Sequence, residues 1–233
     1  MTHPKPICSF TSRLLAISLL LIATLSATAQ QQKRMVAEPD TIPLFRGVAV
    51  SADLAGIAQL ALSDYGQYEA ALRVNLRDKY FPVIELGMGK ADANDVATNL
   101  TYKSTAPYGR IGMDFNVMKN KHDINRVYVG GRYAFSSFDF DVSSPGITDP
   151  VWGDVVEYAH EGNKATWHWM EFVAGIDAKI WKMVRLGWSV RYKMRFSEKI
   201  GENSKMWYIP GYGINQTSGF GGTYSLIYDI PIR

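Results

Sequence analysis

The stretch V-R-L-G-W-S-V-R-Y-K-M-R-F, residues 184–196, decides the fold. Its odd positions are all apolar, whereas its even positions are polar or glycine and include four cations. A period of two places alternate side chains on opposite faces of a β-strand. Soluble proteins usually have strands of about six residues, whereas a tilted strand needs roughly 9–11 residues to cross a bilayer. These thirteen residues therefore predict a transmembrane strand with its cations turned toward an enclosed interior.

The first 29 residues have the features of a secretory signal peptide. A basic start with Lys5 and Arg13 precedes a short apolar run and the small-residue cleavage pattern Ala27-Thr28-Ala29. The apolar run is too short for a membrane-spanning helix, which needs about 20 residues. Cleavage would also remove Cys8, the one cysteine, so we expect no disulfide or thiolate site in the mature chain.

The charge balance excludes some classes of partner. Without Lys5 and Arg13 the chain has 25 − 2 = 23 Lys and Arg against 22 Asp and Glu, a net charge near +1. No basic run with interleaved aromatic residues occurs, so we expect no nucleic-acid binding. After residue 30 no apolar run is long enough for a spanning helix. A membrane protein made from this chain must then be a closed barrel, because only helices and barrels satisfy their backbone in lipid.

The two-residue period recurs along the mature chain and predicts the architecture. The connections after the second, fourth and sixth predicted strands are short and those after the third, fifth and seventh are long, which is typical of outer-membrane barrels. We predict an all-β, closed antiparallel up-and-down transmembrane β-barrel over 47–233, with a periplasmic leader at 30–46. A ten-stranded barrel remains open if the segment 151–158 and part of the segment 206–214 enter the bilayer. The eight predicted strands are 47–57, 68–76, 81–89, 108–117, 124–135, 167–180, 184–196 and 220–232.

Charged side chains fall on the inward positions of these strands. An Arg or Lys facing lipid at mid-depth would cost about 2–4 kcal/mol. An eight-stranded barrel is just wide enough for its side chains to fill, so we predict a lumen filled by ion pairs rather than a pore. A narrow proton or ion path is the alternative. The predicted network consists of Asp53, Glu69, Arg73, Glu85, Arg110, Asp114, Arg126, Arg132, Glu171, Asp177, Arg185, Arg191, Lys193 and Arg195.

Two long connections, 136–166 and 197–218, are expected to lie outside the membrane. The first is predicted to form a hairpin above the bilayer, and the segment 90–106 a polar loop. Exposed aromatic side chains commonly anchor binding interfaces. The predicted contacts for an extracellular ligand are Trp152, Trp207, Tyr208 and Tyr212.

Residues suited to catalysis or metal binding are sparse in the mature chain. Its three histidines, His122, His160 and His168, lack metal-ligand spacing, and no nucleophile or phosphate-loop motif is present, so no metal or cofactor is expected. His168 is predicted to face outward near the external rim, close to Thr166. With Glu161 or Glu157 it would form the basis of a lipid-modifying enzyme, which we keep as an alternative.

The signal segment 1–29, the period-two strands and the closing strand 224–233 together resemble the small eight-stranded outer-membrane barrels of the OmpA and OmpX type. More loosely, they resemble outer-membrane β-barrel proteins of gliding and gut-type Gram-negative bacteria. The resemblance is architectural and implies outer-membrane lipid and the barrel-insertion machinery as partners. Closing strands of that class usually end on an aromatic residue, whereas this one ends on Arg233, so we expect its recognition to differ in detail.

These patterns predict an outer-membrane barrel with a structural or surface-interaction role through its external loops. Two alternatives stay open. One is a lipid-A-modifying or other lipid-modifying outer-membrane enzyme, and the other is a soluble periplasmic, lipocalin-like barrel with its faces reversed. Fold analogy alone does not decide among them.

Overall fold

A computed structural model describes residues 43–95, 100–148, 155–201 and 206–232. The predicted signal peptide, most of the predicted leader and Trp152 lie outside these ranges. No helix in the described part of the chain is long and apolar enough to cross a bilayer.

Eight strands of the described chain close into an antiparallel barrel in the order β1-β10-β7-β6-β5-β4-β3-β2. This arrangement confirms the predicted all-β class. The segment 206–214 contributes a separate two-stranded hairpin, β8–β9, rather than wall strands, so the ten-stranded alternative is wrong. The elements are β1 (Phe45–Asp53), α1 (Leu54–Leu62), β2 (Tyr65–Leu76), β3 (Tyr80–Asp95), β4 (Leu100–Asn116), β5 (Arg126–Thr148), β6 (Val155–Trp181), β7 (Val184–Ile200), β8 (Tyr208–Ile209), β9 (Gly213–Ile214) and β10 (Ser218–Pro231).

One end of the barrel, here called the lower end, has tight connections between β2 and β3 and between β6 and β7. Arg77 and Asp78 adopt positive φ angles of 55° and 56° in the first of these turns. At the opposite, upper end the strands run much further than predicted. The predicted loops at 90–106 and 136–166 are largely strand, because β3 pairs with β4 up to Asp95↔Leu100 and β5 with β6 up to Thr148↔Val155.

The first predicted strand is wrong beyond Asp53, where α1 begins. The Asp53 carboxylate accepts hydrogen bonds from the backbone N–H groups of Ala55 (3.1 Å) and Gly56 (3.2 Å), which is a helix N-cap. A second strand contributes as well, because the backbone N–H of Tyr224 donates to the same carboxylate over 3.2 Å. Asp53 was predicted to belong to the ion-pair network, and instead it ends a strand and starts a helix.

Helix α1 replaces a missing length of barrel wall. Strand β1 pairs with β10 only up to Asp53↔Ser225 and with β2 only up to Ala52↔Ala70. Above these pairs, β2 and β10 continue without a strand between them, and α1 contacts both. The approach to β2 is close enough to require glycine, since a Cβ at Gly66 would lie 2.5 Å from the Cα of Leu60.

The outer face of the barrel changes polarity partway up its wall. On β5, the outward side chains of Val129, Tyr133 and Phe135 are exposed and apolar. Further up the same face, Asp139 and Asp141 are exposed and acidic. The outer surface is therefore apolar in the lower half and polar in the upper half.

The inner face changes polarity in the opposite direction, from charged in the lower half to apolar in the upper half. Its lower half is lined by buried charged residues, and its upper half by a buried apolar cluster. The lower half is thus the reverse of what the soluble, lipocalin-like alternative requires. The upper half has the ordinary arrangement of a protein in water. The largest side chains of the upper cluster are those of Tyr102, Tyr108, Phe138, Phe140, Trp167, Trp169, Tyr208 and Tyr212.

Candidate functional site

The centre of the lower lumen is the carboxylate of Glu85, which is surrounded by three guanidinium groups. Arg191 donates to it over 2.6 Å and Arg132 over 3.1 Å, and a third nitrogen, from Arg110, lies 3.4 Å away. All four side chains are buried. Charged groups out of contact with water are tolerated when they are paired in this way.

Two further glutamates join this centre to the aromatic layer above it. Glu69 forms an ion pair with Arg110 and accepts a hydrogen bond of 2.7 Å from the Tyr108 hydroxyl. Glu171 accepts a 2.7 Å hydrogen bond from the indole N–H of Trp169. The Nε of Arg110 lies 3.0 Å from the Glu171 carboxylate, but without the angle of a hydrogen bond.

Arg73 extends the network downward. It donates to Asp177 over 2.6 Å and lies 3.3 Å from Asp114, which also accepts from Arg132 over 3.0 Å. The space left in the middle of the lumen is about 20 Å³, room for about one water molecule. Among the described residues this part of the lumen is balanced at five cations and five acids: Arg73, Arg110, Arg132, Arg191 and Lys193 with Glu69, Glu85, Asp114, Glu171 and Asp177.

The other predicted network residues lie at the two ends of the barrel. Arg126 and Arg185 are at the lower end and both bind Asp229. Arg195 is near the upper rim, where it is partly exposed and forms a 2.9 Å ion pair with Glu198. The sequence placed these residues on the correct face, but they do not belong to the central cluster.

The β8–β9 hairpin folds back into the upper lumen and closes it. We call residues 206–214 the plug. The Tyr102 hydroxyl donates to the backbone carbonyl of Tyr208 over 2.7 Å, and the Tyr208 hydroxyl donates to the carbonyl of Gly66 over 3.1 Å. Burial raises the pKa of the Tyr208 phenol above its usual value, so this hydroxyl stays protonated and able to donate.

The lower side of the plug binds cations of the lumen through its backbone. The carbonyl of Gly211 accepts from Arg110 over 2.7 Å and from Lys193 over 2.9 Å, and Lys193 also donates to the carbonyl of Tyr212 over 2.9 Å. Gly211 has a φ of +81°, and a Cβ there would lie 2.5 Å from the nearest ring atom of Tyr108. Glycine is therefore required both by the backbone conformation and by the close contact.

The plug corrects the predicted ligand-contact residues. Tyr208 and Tyr212 are only 2% and 5% exposed, because their rings pack into the upper cluster rather than toward solvent. Trp207 keeps 37% of its surface exposed and contacts the ring of Tyr65 at a centroid distance of 5.6 Å. Of the predicted aromatic contacts within the described residues, Trp207 alone remains available at the surface.

Several members of the aromatic cluster were missed as parts of the site. Trp167 and Tyr108 lie near strand ends, and both are buried and point inward. Phe138 and Phe140 fell in a predicted loop. The signal that could have found them is their parity, since they continue the inward positions of β5 beyond Arg132 and Ala134 without interruption.

The residues considered for catalysis do not form a catalytic arrangement among the described side chains. His168 lies on the outer face, as predicted, and its Nδ1 is 2.8 Å from the Tyr133 hydroxyl. No described carboxylate is bonded to His168, and the side chain of Glu157 lies outside the described set. The described residues also contain no group of three or more His, Cys, Asp or Glu arranged to hold a metal ion.

Comparison with known proteins gives the family. The profile of DUF6048, a domain of unknown function, matches residues 12–233. The chain belongs to the DUF6048 family. No curated protein matches the sequence.

Two solved structures are similar to this DUF6048 chain at low sequence identity. The crystal structure of neisserial surface protein A (NspA) is 12% identical, with a TM-score of 0.41 over 81% of this chain and 98% of that one. A major outer membrane protein from Thermus thermophilus is 10% identical, with a TM-score of 0.42 over 81% of this chain and all (100%) of that one.

Below the balanced network, the lumen of this DUF6048 chain widens into a cavity of about 290 Å³. We call it the vestibule. Its wall includes Phe81 at the start of β3, His122 and Ile124 before β5, and Arg126 and Arg185. The vestibule is therefore at the lower end, beside the tight turns.

Proposed function

We propose that this protein is an outer-membrane β-barrel with a filled lumen, which holds an extended β-structure above the membrane as a surface for interaction. The observation that carries the proposal is the reversal of polarity on both faces of the wall. The lower half has apolar residues outside and charges inside, and the upper half has the opposite arrangement. A bilayer around the lower half and water around the upper half would match the polarity of the outer surface in each half.

The height of the apolar belt supports this placement. On β3, the outward residues Ile84, Leu86 and Met88 are followed by Lys90 and Asp92. From Tyr80 to Met88 is nine residues, which matches the roughly 9–11 residues that a tilted strand needs to cross the hydrocarbon core. Charged residues begin on this face where a strand of that length would leave the lipid.

The length of the strands supports the interaction surface. β5 has 23 residues and β6 has 27, more than twice the number needed to cross the bilayer. Their outer faces above the belt carry exposed charges, including Asp139 opposite Lys164 in the register. A filled lumen argues against transport, whereas a projecting sheet with a partly exposed Trp207 at the plug offers a surface to an extracellular ligand.

Nitroxide labels at two outward positions of β5 test the placement. With the protein in bilayers, a label at Phe135 is expected to collide more often with oxygen, which concentrates in hydrocarbon, and a label at Asp139 with a water-soluble nickel complex. These residues lie on the same face of one strand, so the two labels differ mainly in their height on the barrel wall. Equal access of the nickel complex to both labels would rule out the membrane belt.

Cysteine labelling in intact cells tests the orientation. We expect Lys164→Cys in the upper half to react with a membrane-impermeant maleimide. Lys119→Cys, beside the lower turns, is expected to react only after the outer membrane is permeabilised. The wild-type chain is the blank, since its one cysteine lies in the predicted signal peptide. The reverse pattern would place the long strands in the periplasm and exclude a cell-surface role.

A further inference from the structure

The vestibule carries an excess of positive charge that the rest of the lumen does not have. In the described structure, six Arg or Lys side chains line it but only three Asp side chains. Some of these charges are already paired. Asp78 binds Arg46 over 2.7 Å, and Arg73 is turned upward to Asp177 at 2.6 Å.

Without these paired groups, the vestibule keeps a net charge of +2. Four cations remain against two acids, Asp123 and Asp229. The balance is 4 − 2 = +2 around one cavity, whereas the network above it has equal numbers of both signs. The remaining cations are Arg126, Lys179, Lys182 and Arg185.

The two arginines are the less usual members of this group, because both are buried. Arg126 is 7% exposed and Arg185 is 6% exposed, yet they share the same carboxylate oxygen of Asp229. Arg185 also donates to the carbonyl of Ile124. Arg126 lies 3.3 Å from Asp229, which is the only described hydrogen-bond partner of its side chain. Asp229 is therefore the one described carboxylate that is hydrogen-bonded to both buried guanidinium groups.

Arg126 lines the vestibule, and its nitrogens other than the one bonded to Asp229 have no hydrogen-bond partner among the described residues. Its guanidinium carbon lies 4.9 Å from the centre of the Phe81 ring, so the ring covers one of its planar faces and holds the group in place. An arginine held by an aromatic face and open along its edge is suited to bidentate binding of an oxyanion.

We propose that the vestibule binds the phosphate group of a ligand, held by Arg126 and Arg185 with Lys179 and Lys182 at its mouth. A phosphate monoester carries nearly two negative charges at neutral pH, which matches the excess of two. The volume of about 290 Å³ is close to the lower limit of small-ligand pockets and fits a phosphate with a short substituent. The source would be a water-soluble phosphate ester or the headgroup of a phospholipid, since both present the same chemistry.

Titration calorimetry on the full mature chain in a zwitterionic detergent tests the site. Inorganic phosphate, glycerol 3-phosphate and acetate serve as probes at constant ionic strength, because screening alone weakens any exposed charge pair. We expect phosphate to bind at least about tenfold more tightly than acetate. Loss of one hydrogen bond to a charged group corresponds to roughly a tenfold change or more, so Arg126→Gln is expected to weaken phosphate binding by at least that factor.

Exposed lysines provide a variant and a control that leave the buried structure intact. We expect the double variant Lys179→Gln/Lys182→Gln to weaken phosphate binding by at least about threefold, since two nearby charges are lost. Lys119→Gln removes another exposed cation at the same end of the barrel but outside the vestibule. We expect the affinity of Lys119→Gln for phosphate to stay within about twofold of the wild-type affinity, because only a long-range charge effect is lost.

These measurements show whether the vestibule binds phosphate and which kind of phosphate ligand it prefers. Equal loss of affinity in the double variant and in Lys119→Gln, or no binding of phosphate to the wild type, would overturn the proposal even if Arg126→Gln failed to fold. Because the measurement is made in detergent, it does not depend on the membrane placement proposed above. Tighter binding of short-chain phosphatidic acid than of glycerol 3-phosphate would identify a lipid headgroup as the ligand, and equal affinity would identify a soluble ester.

Discussion

Replacing Glu85 by Gln measures how strongly the buried charges hold the barrel together. Gln keeps the size of the side chain but removes its charge, which leaves five cations facing four acids in the central network. The groups affected most directly are Arg191 at 2.6 Å and Arg132 at 3.1 Å. Breaking a buried ion pair by removing one partner typically costs about 3–5 kcal/mol, and we expect a loss of folding free energy in that range.

A matched control is available at the upper rim. Glu198 forms a 2.9 Å ion pair with Arg195, in which both side chains are about one-third exposed (37% and 31%). Exposed pairs contribute about 0–1 kcal/mol. Glu198→Gln is the same chemical change as Glu85→Gln, so the two variants differ mainly in burial.

Guanidinium unfolding in detergent, followed by tryptophan fluorescence, reports the difference. Trp167 and Trp169 have no exposed surface (0% each), so their emission will shift when the barrel opens. The reasoning would be refuted if the free energies of unfolding of Glu85→Gln and Glu198→Gln differed by less than about 1 kcal/mol. Burial would then add nothing to the contribution of an ion pair to stability.

Three further predictions concern the plug and the helix. Gly211→Ala is expected to lower the free energy of unfolding by about 1–3 kcal/mol, the usual cost of backbone strain. Gly213 also has a positive φ (+110°), but a Cβ there would have no neighbour within 4 Å, so Gly213→Ala should cost less in the same unfolding assay. Asp53→Ala should cost about 0.5–2 kcal/mol through loss of the helix cap, whereas Asp64→Ala, on the adjoining exposed turn, should be close to neutral; equal effects would argue against the cap. Replacing 206–217 by a short Gly-Ser link should leave planar bilayers without conductance, because the charged network still fills the lumen below; open channels in that variant would show that the plug is the barrier.

The lower half of the wall could be predicted because its two faces differ sharply in polarity. The period-two pattern of 184–196 begins where β7 begins, at Val184. The lower turns were also predicted closely, since Arg77 and Asp78 lie in a compact charged turn between two apolar strands. At this end the predicted strand boundaries lie within two residues of the observed ends of the strands.

The upper half was harder to predict because the strands continue while their polarity reverses. Beyond Phe135 the outward positions become polar, which resembles the start of a loop, although Phe138 and Phe140 keep the inward register. Local sequence does not show whether an aromatic loop faces water or turns into a lumen. The burial of Tyr208 therefore depends on long-range contacts with Tyr102 and Gly66, and no pattern near residue 208 indicates them.

Lys193 also shows that local sequence does not predict long-range contacts within the network. Its parity placed it correctly inside the barrel, among acids and arginines. Its hydrogen bonds go instead to the backbone carbonyls of Gly211 and Tyr212, since the plug reaches down to it. The partner of a buried cation is thus set by the path of a distant segment and not by the charges of its own strand.

The position of the plug in the chain has a consequence for assembly. It lies between β7 and β10, and β10 is the strand that closes the ring against β1. Because β10 begins at Ser218, only a few residues after the hairpin ends at Ile214, docking of the hairpin among the aromatic rings also holds the start of the closing strand. A change that loosens this docking is therefore expected to weaken the seam between β1 and β10 as well, so that packing at the top of the molecule supports closure of the whole cylinder.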